Sequence, residues 1–172
     1  MTEKHQALLE NIYKRAYENE AKYGACPQAV LAALQEYFDD IDDQVIQAVH
    51  SFAGGGGLCG DGTCGALVGG MAAISSQFGR KRSEFGKKTA SRLRNFSATR
   101  ELHDKFVETF GGVTCREVQE QVLGRSFNMW DKEEYQKFEE AGGHDDKCTN
   151  VSGKTARWTA EILLEKGIEP KQ

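Results

Sequence analysis

The sequence predicts an all-α protein, a compact single-domain bundle of about seven to eight irregular helices. Apolar residues recur at the three- and four-residue spacing of helices through most of the 172-residue chain. Strand-like alternation is scarce, and no dipeptide typical of hairpins joins two β-branched runs. Only two prolines occur, one at a predicted helix start and one in the tail. We therefore expect one helical domain over residues 1–172.

Local signals predict the first three helices. Thr2–Tyr23 begins with a suitable N-cap residue and carries an apolar stripe, and Gly24 stops it. Pro27 is tolerated in a first helical turn and opens the second helix, Gln28–Phe38. Apolar residues at helical spacing then predict a third, short helix over Ile41–Phe52.

The fourth predicted helix, Cys64–Gln77, is almost entirely small or apolar and follows a glycine-rich loop. A helix that is apolar on all sides belongs at the centre of a fold. Its glycines, Gly65, Gly69 and Gly70, each reduce helix stability by about 1 kcal/mol relative to alanine. A close approach must compensate, whether by a crossing helix, by a bulky cofactor or by a second copy of the chain in a homodimer.

Four more helices are predicted in the second half of the chain. Their bounds are Lys87–Phe110, Arg116–Leu123, Lys132–Ala141 and Thr149–Lys166. The longest ends at a pair of glycines. Its expected inner positions are Leu93, Phe96, Leu102, Phe106, Val107 and Phe110.

Charge and hydropathy exclude several classes of protein. The net charge is −4 and no basic stripe dominates a face, so we expect no nucleic-acid partner. No apolar run reaches the roughly 18 residues of a membrane span. The N-terminus lacks the apolar region of a signal peptide, so the expected location is cytoplasmic. Lasting disulfides are uncommon there, and five cysteines then indicate metal binding, redox chemistry or simple burial.

Four of the five cysteines stand where a predicted helix begins: Cys26, Cys64, Cys115 and Cys148. A helix N-terminus presents unpaired N–H groups and the positive end of its dipole, which favours thiolate over thiol. Four cysteines at helix starts in distant segments are explained if the fold brings them together around one positively charged group, such as a metal ion or an iron–sulfur cluster. The first candidate is an iron–sulfur cluster, [2Fe–2S] above others, bound by these four residues.

Other interpretations of the cysteines stay open. Paired Cys-x-x-Cys knuckles are absent, which is atypical of structural zinc, although zinc remains an alternative. A metal-free thiol–disulfide oxidoreductase would use Cys64 as the attacking thiolate and Cys59 or Cys26 as the resolving thiol. In a helical interaction module the cysteines would be inert, buried hydrophobes. No nucleotide-binding or hydrolase motif accompanies them, and neither a redox partner protein nor an enzymatic reaction is indicated.

Cys59 and His144 are secondary candidates for the same site. Cys59 lies five residues before Cys64 in the glycine-rich loop, where it could replace a ligand, resolve a disulfide or have no role. His144 precedes Cys148 by four residues and is a candidate ligand or proton carrier, or else a solvated loop histidine.

The chain resembles the C_GCAxxG_C_C family, small proteins considered redox-active and named for their cysteine pattern. The matching segments are Ala25-Cys26-Pro27-Gln28-Ala29-Val30, Gly62-Thr63-Cys64-Gly65-Ala66-Leu67-Val68-Gly69-Gly70, Phe106–Phe110 with Gly111, Thr114-Cys115-Arg116-Glu117-Val118 and Lys147-Cys148. The resemblance covers about residues 23–164. The chain departs from the family pattern in two ways: Cys64 follows Thr63, and Cys59 is an additional cysteine.

The resemblance implies an all-α fold and a redox or cluster-binding role. The family is also similar to part of the split-Soret cytochromes c, in which an iron–sulfur site has been suggested beside the haems. No haem-attachment motif occurs in this chain, so haem is not implied here.

Overall fold

The computed structural model describes residues 2–87 and 90–171 and bears out the all-α prediction. Within these residues there are eight α-helices and no β-strand, only one antiparallel bridge between Thr63 and Thr114. The helices are α1 Glu3–Tyr23, α2 Cys26–Gln35, α3 Asp43–Ala48, α4 Gly65–Phe78, α5 Ala90–Phe110, α6 Cys115–Leu123, α7 Lys132–Glu140 and α8 Cys148–Glu165. Short 3₁₀ turns cover His50–Phe52 and Arg82–Glu84, and a π-helical turn covers Gly143–Lys147.

Local capping contacts fix three of the predicted helix ends. The Thr2 hydroxyl accepts a hydrogen bond from the His5 N–H at 3.3 Å, as an N-cap does. Gly24 ends α1 with a φ of 65°. Thr114 and Glu117 form a capping box at the start of α6. Each of these ends is fixed by a contact within a few residues, which is why sequence could predict it.

Two predicted helices are shorter than expected. The second ends at Gln35, so Phe38 lies beyond it, buried after a turn. The expected helix over Ile41–Phe52 is wrong as one element: Ile41 is buried ahead of α3, and a 3₁₀ turn follows Ala48. The chain must leave the α-helical path there, because the glycine loop that follows has positive φ angles that no right-handed helix accommodates.

The inner face of α5 was predicted only in part. Leu102, Phe106 and Phe110 are buried, whereas Leu93 and Phe96 are exposed. The buried positions follow Ala98 at steps of four, and a helix turns by roughly 100° per residue. Positions 93 and 96 therefore lie on roughly the opposite side from Ala98. Residues 88 and 89 of the predicted Lys87–Phe110 helix lie outside the described residues.

The core is built around α8 and α4. Helix α8 packs against α1, α2, α4 and α5, and α4 packs against α2, α5 and α8. A Cβ on Gly69 would lie 2.6 Å from the Pro27 carbonyl oxygen, and one on Gly70 would lie 2.6 Å from Thr159 Oγ1. The small residues of α4 thus permit close packing within the chain, and a homodimer stays a prediction. None of the described helices is long and apolar enough to cross a bilayer.

Candidate functional site

Four cysteines from four helices line one cavity of about 720 Å³. Cys26, Cys115 and Cys148 are the first residues of α2, α6 and α8, and Cys64 is the N-cap residue of α4. Cys64 and Cys115 are buried, and the other two are half-buried. All are free thiols. The fold therefore brings together the four positions singled out in the sequence.

Cys26 and Cys64 are the most intimately connected pair. The neighbouring Cys64 thiol raises the pKa of Cys26 and the Gly54 N–H lowers it, and a Cβ on Gly65, the residue after Cys64, would lie 2.5 Å from the Cys26 sulfur. Cys26 reaches this position because Gly24 and Ala25 both adopt positive φ angles, of 65° and 56°. The chain thus turns from α1 into α2 within two residues, which directs the start of α2 toward the glycine loop.

The glycine loop joins the starts of α4 and α6. Residues 54–58 all have positive φ angles, and a Cβ on Gly55 would lie 2.9 Å from the Cβ of Cys115. The Gly62 carbonyl accepts the Cys115 N–H at 3.0 Å, and the Val113 carbonyl accepts the Cys64 N–H at 2.7 Å. These backbone contacts hold Cys64 and Cys115 in register, and glycine is required where the loop touches Cys115.

Gln119 is a buried partner of Cys115 that the sequence analysis did not identify. Its amide nitrogen donates to the Cys115 sulfur at 3.6 Å, within the longer range of bonds to sulfur. Its amide oxygen accepts the Phe127 N–H at 2.9 Å, which fixes the orientation of the amide. The signal was available, because residues four apart on a helix share one face.

Cys148 is positioned by an unusual turn. The π-helical turn Gly143–Lys147 leads directly into α8, and single π turns within helices are frequent at functional sites. The Asp145 carbonyl accepts the Tyr17 hydroxyl at 2.5 Å and the Thr149 hydroxyl at 3.0 Å. Contacts from α1 and α8 therefore satisfy the carbonyl that the turn leaves outside the regular ladder.

Glu20 is a buried acid in the cavity wall, and the sequence analysis did not identify it either. It is only 2% exposed, and its Oε2 is one of two buried side-chain polar atoms without a hydrogen-bond partner among the described residues. The other is Ser152 Oγ, which belongs to the same cavity. Burial raises the pKa of Glu20 to about 8. Glu20 continues the stripe of Ile12 and Ala16 at four-residue steps, a signal that the charge obscured.

His144 also lines the cavity, between two carboxylates. Its Nδ1 lies 2.7 Å from Glu139 Oε1 and its Nε2 lies 3.7 Å from Glu20 Oε1. The ring stands edge-on to Phe138, with the centroids 5.1 Å apart. Both ring nitrogens thus face acids, an arrangement that suits proton transfer more than metal ligation.

Cys59 lies outside the cavity. It is exposed, its sulfur is 3.6 Å from the Gly57 carbonyl oxygen, and it lines a separate recess with Arg116 and Trp130. The Trp130 indole donates to the same Gly57 carbonyl at 2.8 Å. Of the two loop cysteines, Cys64 is therefore the one that faces the other three.

For Cys26, Cys115 and Cys148, the expectation that a helix N-terminus favours the thiolate is wrong for the chain alone. The hydrogen bond with Cys64, together with burial, raises the pKa of Cys26 well above its usual range. Burial raises the pKa of Cys115 to about 12 and that of Cys148 well above its usual range. Removal from water and repulsion among neighbouring sulfurs outweigh the helix dipole.

The four sulfurs surround the cavity without converging on one point. Within residues 2–87 and 90–171, no three His, Cys, Asp or Glu side chains are close enough to hold a single metal ion. Sulfurs bound to one tetrahedral zinc ion lie about 2.3 Å from it and hence about 3.8 Å from one another. The wider arrangement suits a group of several atoms more than a lone ion.

Comparison with known families places the cavity in context. A family model with the description "Putative redox-active protein (C_GCAxxG_C_C)" matches residues 24–162. The matched region contains all four cavity cysteines and agrees with the resemblance found in the sequence. No curated protein and no solved structure matches the chain.

Proposed function

The chain belongs to the C_GCAxxG_C_C family of redox-active proteins, and on that premise we propose that it binds one iron–sulfur cluster in the cysteine-lined cavity. The ligands would be Cys26, Cys64, Cys115 and Cys148. When bound, a cluster takes up and releases single electrons, so the function would be electron transfer or redox sensing. The observation that carries the proposal is the meeting of four free thiols, from four helix starts, in one cavity.

The width of the site supports a cluster over a single ion. An iron–sulfur cluster is a rigid group of several atoms and bridges thiolates that lie farther apart than the ligands of one zinc ion. The cavity volume of about 720 Å³ leaves room for such a group. Four sulfur donors also match the ligand number of [2Fe–2S] and [4Fe–4S] clusters.

Hydrogen-bond donors aimed at sulfur support the same proposal. The Gln119 amide donates to the Cys115 sulfur at 3.6 Å, and the Gly54 N–H lowers the pKa of Cys26, as a donor near its sulfur does. Donors of this kind disperse negative charge from ligand sulfurs and raise the reduction potential of a cluster. In a chain whose cysteines were merely buried hydrophobes, such aimed donors would have no evident purpose.

The protonated state of the thiols is consistent with cofactor loading. Thiolates are the metal ligands, so iron binding has to displace the thiol protons. Burial first, and then repulsion from neighbouring sulfurs and Glu20, raises the pKa values of Cys115 and Cys148, and the Cys64 thiol followed by burial raises that of Cys26. Positively charged iron removes that repulsion.

Single cysteine-to-serine variants test the proposal. In protein purified without oxygen, each of Cys26→Ser, Cys64→Ser, Cys115→Ser and Cys148→Ser should lose or alter the visible absorption of the cluster. Cys59→Ser is the matched control, since its thiol lies outside the cavity, and should keep the full spectrum. An unchanged spectrum in Cys115→Ser would remove that residue from the ligand set.

One observation favours a second candidate function, a metal-free thiol–disulfide oxidoreductase. The Cys26 sulfur lies beside Gly65, the residue that follows Cys64, and the Cys64 thiol raises the pKa of Cys26, so the two thiols are neighbours that could form a disulfide. Mild oxidation of metal-free protein should then remove two hydrogens and link these two residues in a peptide map. Reduced thiols at both positions after oxidation would contradict this alternative.

A further inference from the structure

Three side chains connect solvent to the cysteine-lined cavity. Glu139 on α7 has a side chain that is 37% exposed, whereas the side chain of Glu20 is 3% exposed. His144 stands between them, with its side chain 24% exposed. The series thus passes from the surface to the interior by way of one imidazole, the side chain best suited to relaying protons near neutral pH.

The separations along the series suit stepwise proton transfer. Glu139 Oε1 and His144 Nδ1 lie 2.7 Å apart, a short hydrogen bond. His144 Nε2 and Glu20 Oε1 lie 3.7 Å apart, which is longer than a hydrogen bond and within reach of a small side-chain rotation. Such contacts are often long before a site is filled and shorten afterwards. An imidazole can accept a proton on one nitrogen and release one from the other.

The inner end of the series is unsatisfied. Glu20 Oε2 is buried in the cavity wall and has no hydrogen-bond partner among the described residues. The titratable groups that face Glu20 from the packed elements are His144, Tyr135, Cys26, Cys115 and Cys148. A carboxyl oxygen left unpaired in a buried wall destabilises the fold unless a bound group or a proton uses it.

We propose that Glu139, His144 and Glu20 form a proton path, and that reduction of the group bound in the cavity is coupled to proton uptake at Glu20. This inference rests on the proposed cluster. An external one-electron donor supplies one electron, which stays on the cluster. Above about pH 8, where Glu20 is a carboxylate before reduction, solvent supplies one proton, which passes over Glu139 and His144 and forms an O–H bond at Glu20. The added negative charge in a cavity of low dielectric favours this uptake.

Potentiometry of the anaerobically purified protein between pH 7 and pH 10.5 tests the coupling. The reduced form binds a proton that the oxidised form lacks, so the midpoint potential of the wild type should fall as the pH rises in the alkaline range. In Glu20→Gln the potential should become independent of pH there. Glu18→Gln, an exposed neighbour on α1, is the control and should behave as wild type. A wild-type pH dependence in Glu20→Gln overturns the coupling.

The rate of reduction tests the path itself. His144→Phe leaves the proton acceptor in place but interrupts delivery, so reduction by dithionite above pH 8 should slow at least tenfold with the pH dependence of the potential retained. Imidazole added to the buffer should restore the rate. His103→Phe, at an exposed histidine on α5, should react as wild type. An unchanged rate in His144→Phe overturns the path.

A measurement on the metal-free protein separates this inference from the proposed function. Infrared absorption of the protonated Glu20 carboxyl follows the loss of its proton when metal-free protein is brought rapidly from pH 7 to pH 10, and His144→Phe should slow this loss several-fold relative to His103→Phe. Glu20→Gln, which lacks the carboxyl, identifies the band. Colourless protein in which His144→Phe slows the loss contradicts the cluster but retains the path, whereas equal rates in His144→Phe and His103→Phe overturn the path.

Discussion

The sulfur of Cys26 lies beside Gly65, where it leaves no room for a side chain. A Cβ atom on Gly65 would stand 2.5 Å from Cys26 Sγ and 2.6 Å from Pro27 Cδ. The first residue of α4 therefore touches the first turn of α2, and the two helix starts are packed through a glycine. This contact links the stability of the fold to the geometry of the cysteine cavity.

Gly65→Ala should lower the stability of the fold and also disturb the geometry of the cysteine cavity. The added methyl group must displace Cys26 or separate α2 from α4, and overpacking of this kind costs about 1–3 kcal/mol. Urea unfolding of the metal-free protein measures the loss, and iron per chain measures the effect on the site. Gly86→Ala is the matched control, because a Cβ there meets nothing within 4 Å. Equal stability of the two variants would show that the close approach is unimportant.

Gln119→Leu should lower the reduction potential of the bound cluster. The variant removes the amide donor to Cys115 and leaves negative charge on that sulfur less dispersed. It also deprives the Phe127 N–H of its acceptor, for an expected loss of stability of about 1–3 kcal/mol. Gln121→Leu, at an exposed position on the same helix, should change neither quantity. A potential equal to that of wild type would mean that the amide does not tune the site.

Glu20 should make the metal-free fold less stable as the pH rises. Its pKa is about 8 in the folded chain against an ordinary 4.5, so between these values the folded state holds a proton that the unfolded state releases. This contribution is fully present below pH 4.5 and is lost as the pH rises to about 8. At 1.36 kcal/mol per pKa unit the loss is at most about 5 kcal/mol.

Urea unfolding at a series of pH values checks this prediction. Glu20→Gln removes the titration, so the difference in unfolding free energy between variant and wild type should grow in favour of the variant up to about pH 8 and then level off. Glu18→Gln, at an exposed position, should follow the wild-type curve. A difference that does not change with pH would contradict the raised pKa.

Thr114→Ala tests the capping box that places Cys115. The Thr114 hydroxyl accepts the Glu117 N–H at 3.2 Å, and its loss should cost about 1 kcal/mol. Thr2→Ala removes another N-cap, at the far start of α1, and should cost a similar amount. Only Thr114→Ala should lower the iron content, since α6 begins with a cavity cysteine and α1 does not. Equal iron content in Thr114→Ala and Thr2→Ala would show that the N-cap of α6 is not needed to position Cys115 for iron binding.

The fold and the cysteine positions could be predicted because their causes are local. Thr2, Gly24 and Thr114 act on atoms within a few residues, and each cavity cysteine stands at a helix start that apolar periodicity indicates. The third predicted helix was wrong because its end depends on a loop with positive φ angles. Leu93 was placed inside because hydropathy alone does not reveal which face of α5 meets α4 and α8.

The burial of Glu20 in the cavity wall and the protonation of the cavity thiols could not be predicted from the sequence. Glu20 lies near the end of α1, six residues before Cys26, and its burial depends on how α1 lies against α8. The protonation of the thiols depends on burial and on their mutual distances, which outweigh the helix dipole at Cys26 and Cys115. Both are consequences of tertiary packing, and a pattern along the chain does not contain them.

The most direct test of the central claim is the amount of iron and acid-labile sulfide per chain in protein purified without oxygen. We predict iron and sulfide in near-equal amounts, at two or more of each per chain, with the visible absorption of a cluster. Zinc in place of iron, or iron-free and colourless protein that cannot be reconstituted with iron and sulfide, would contradict the account.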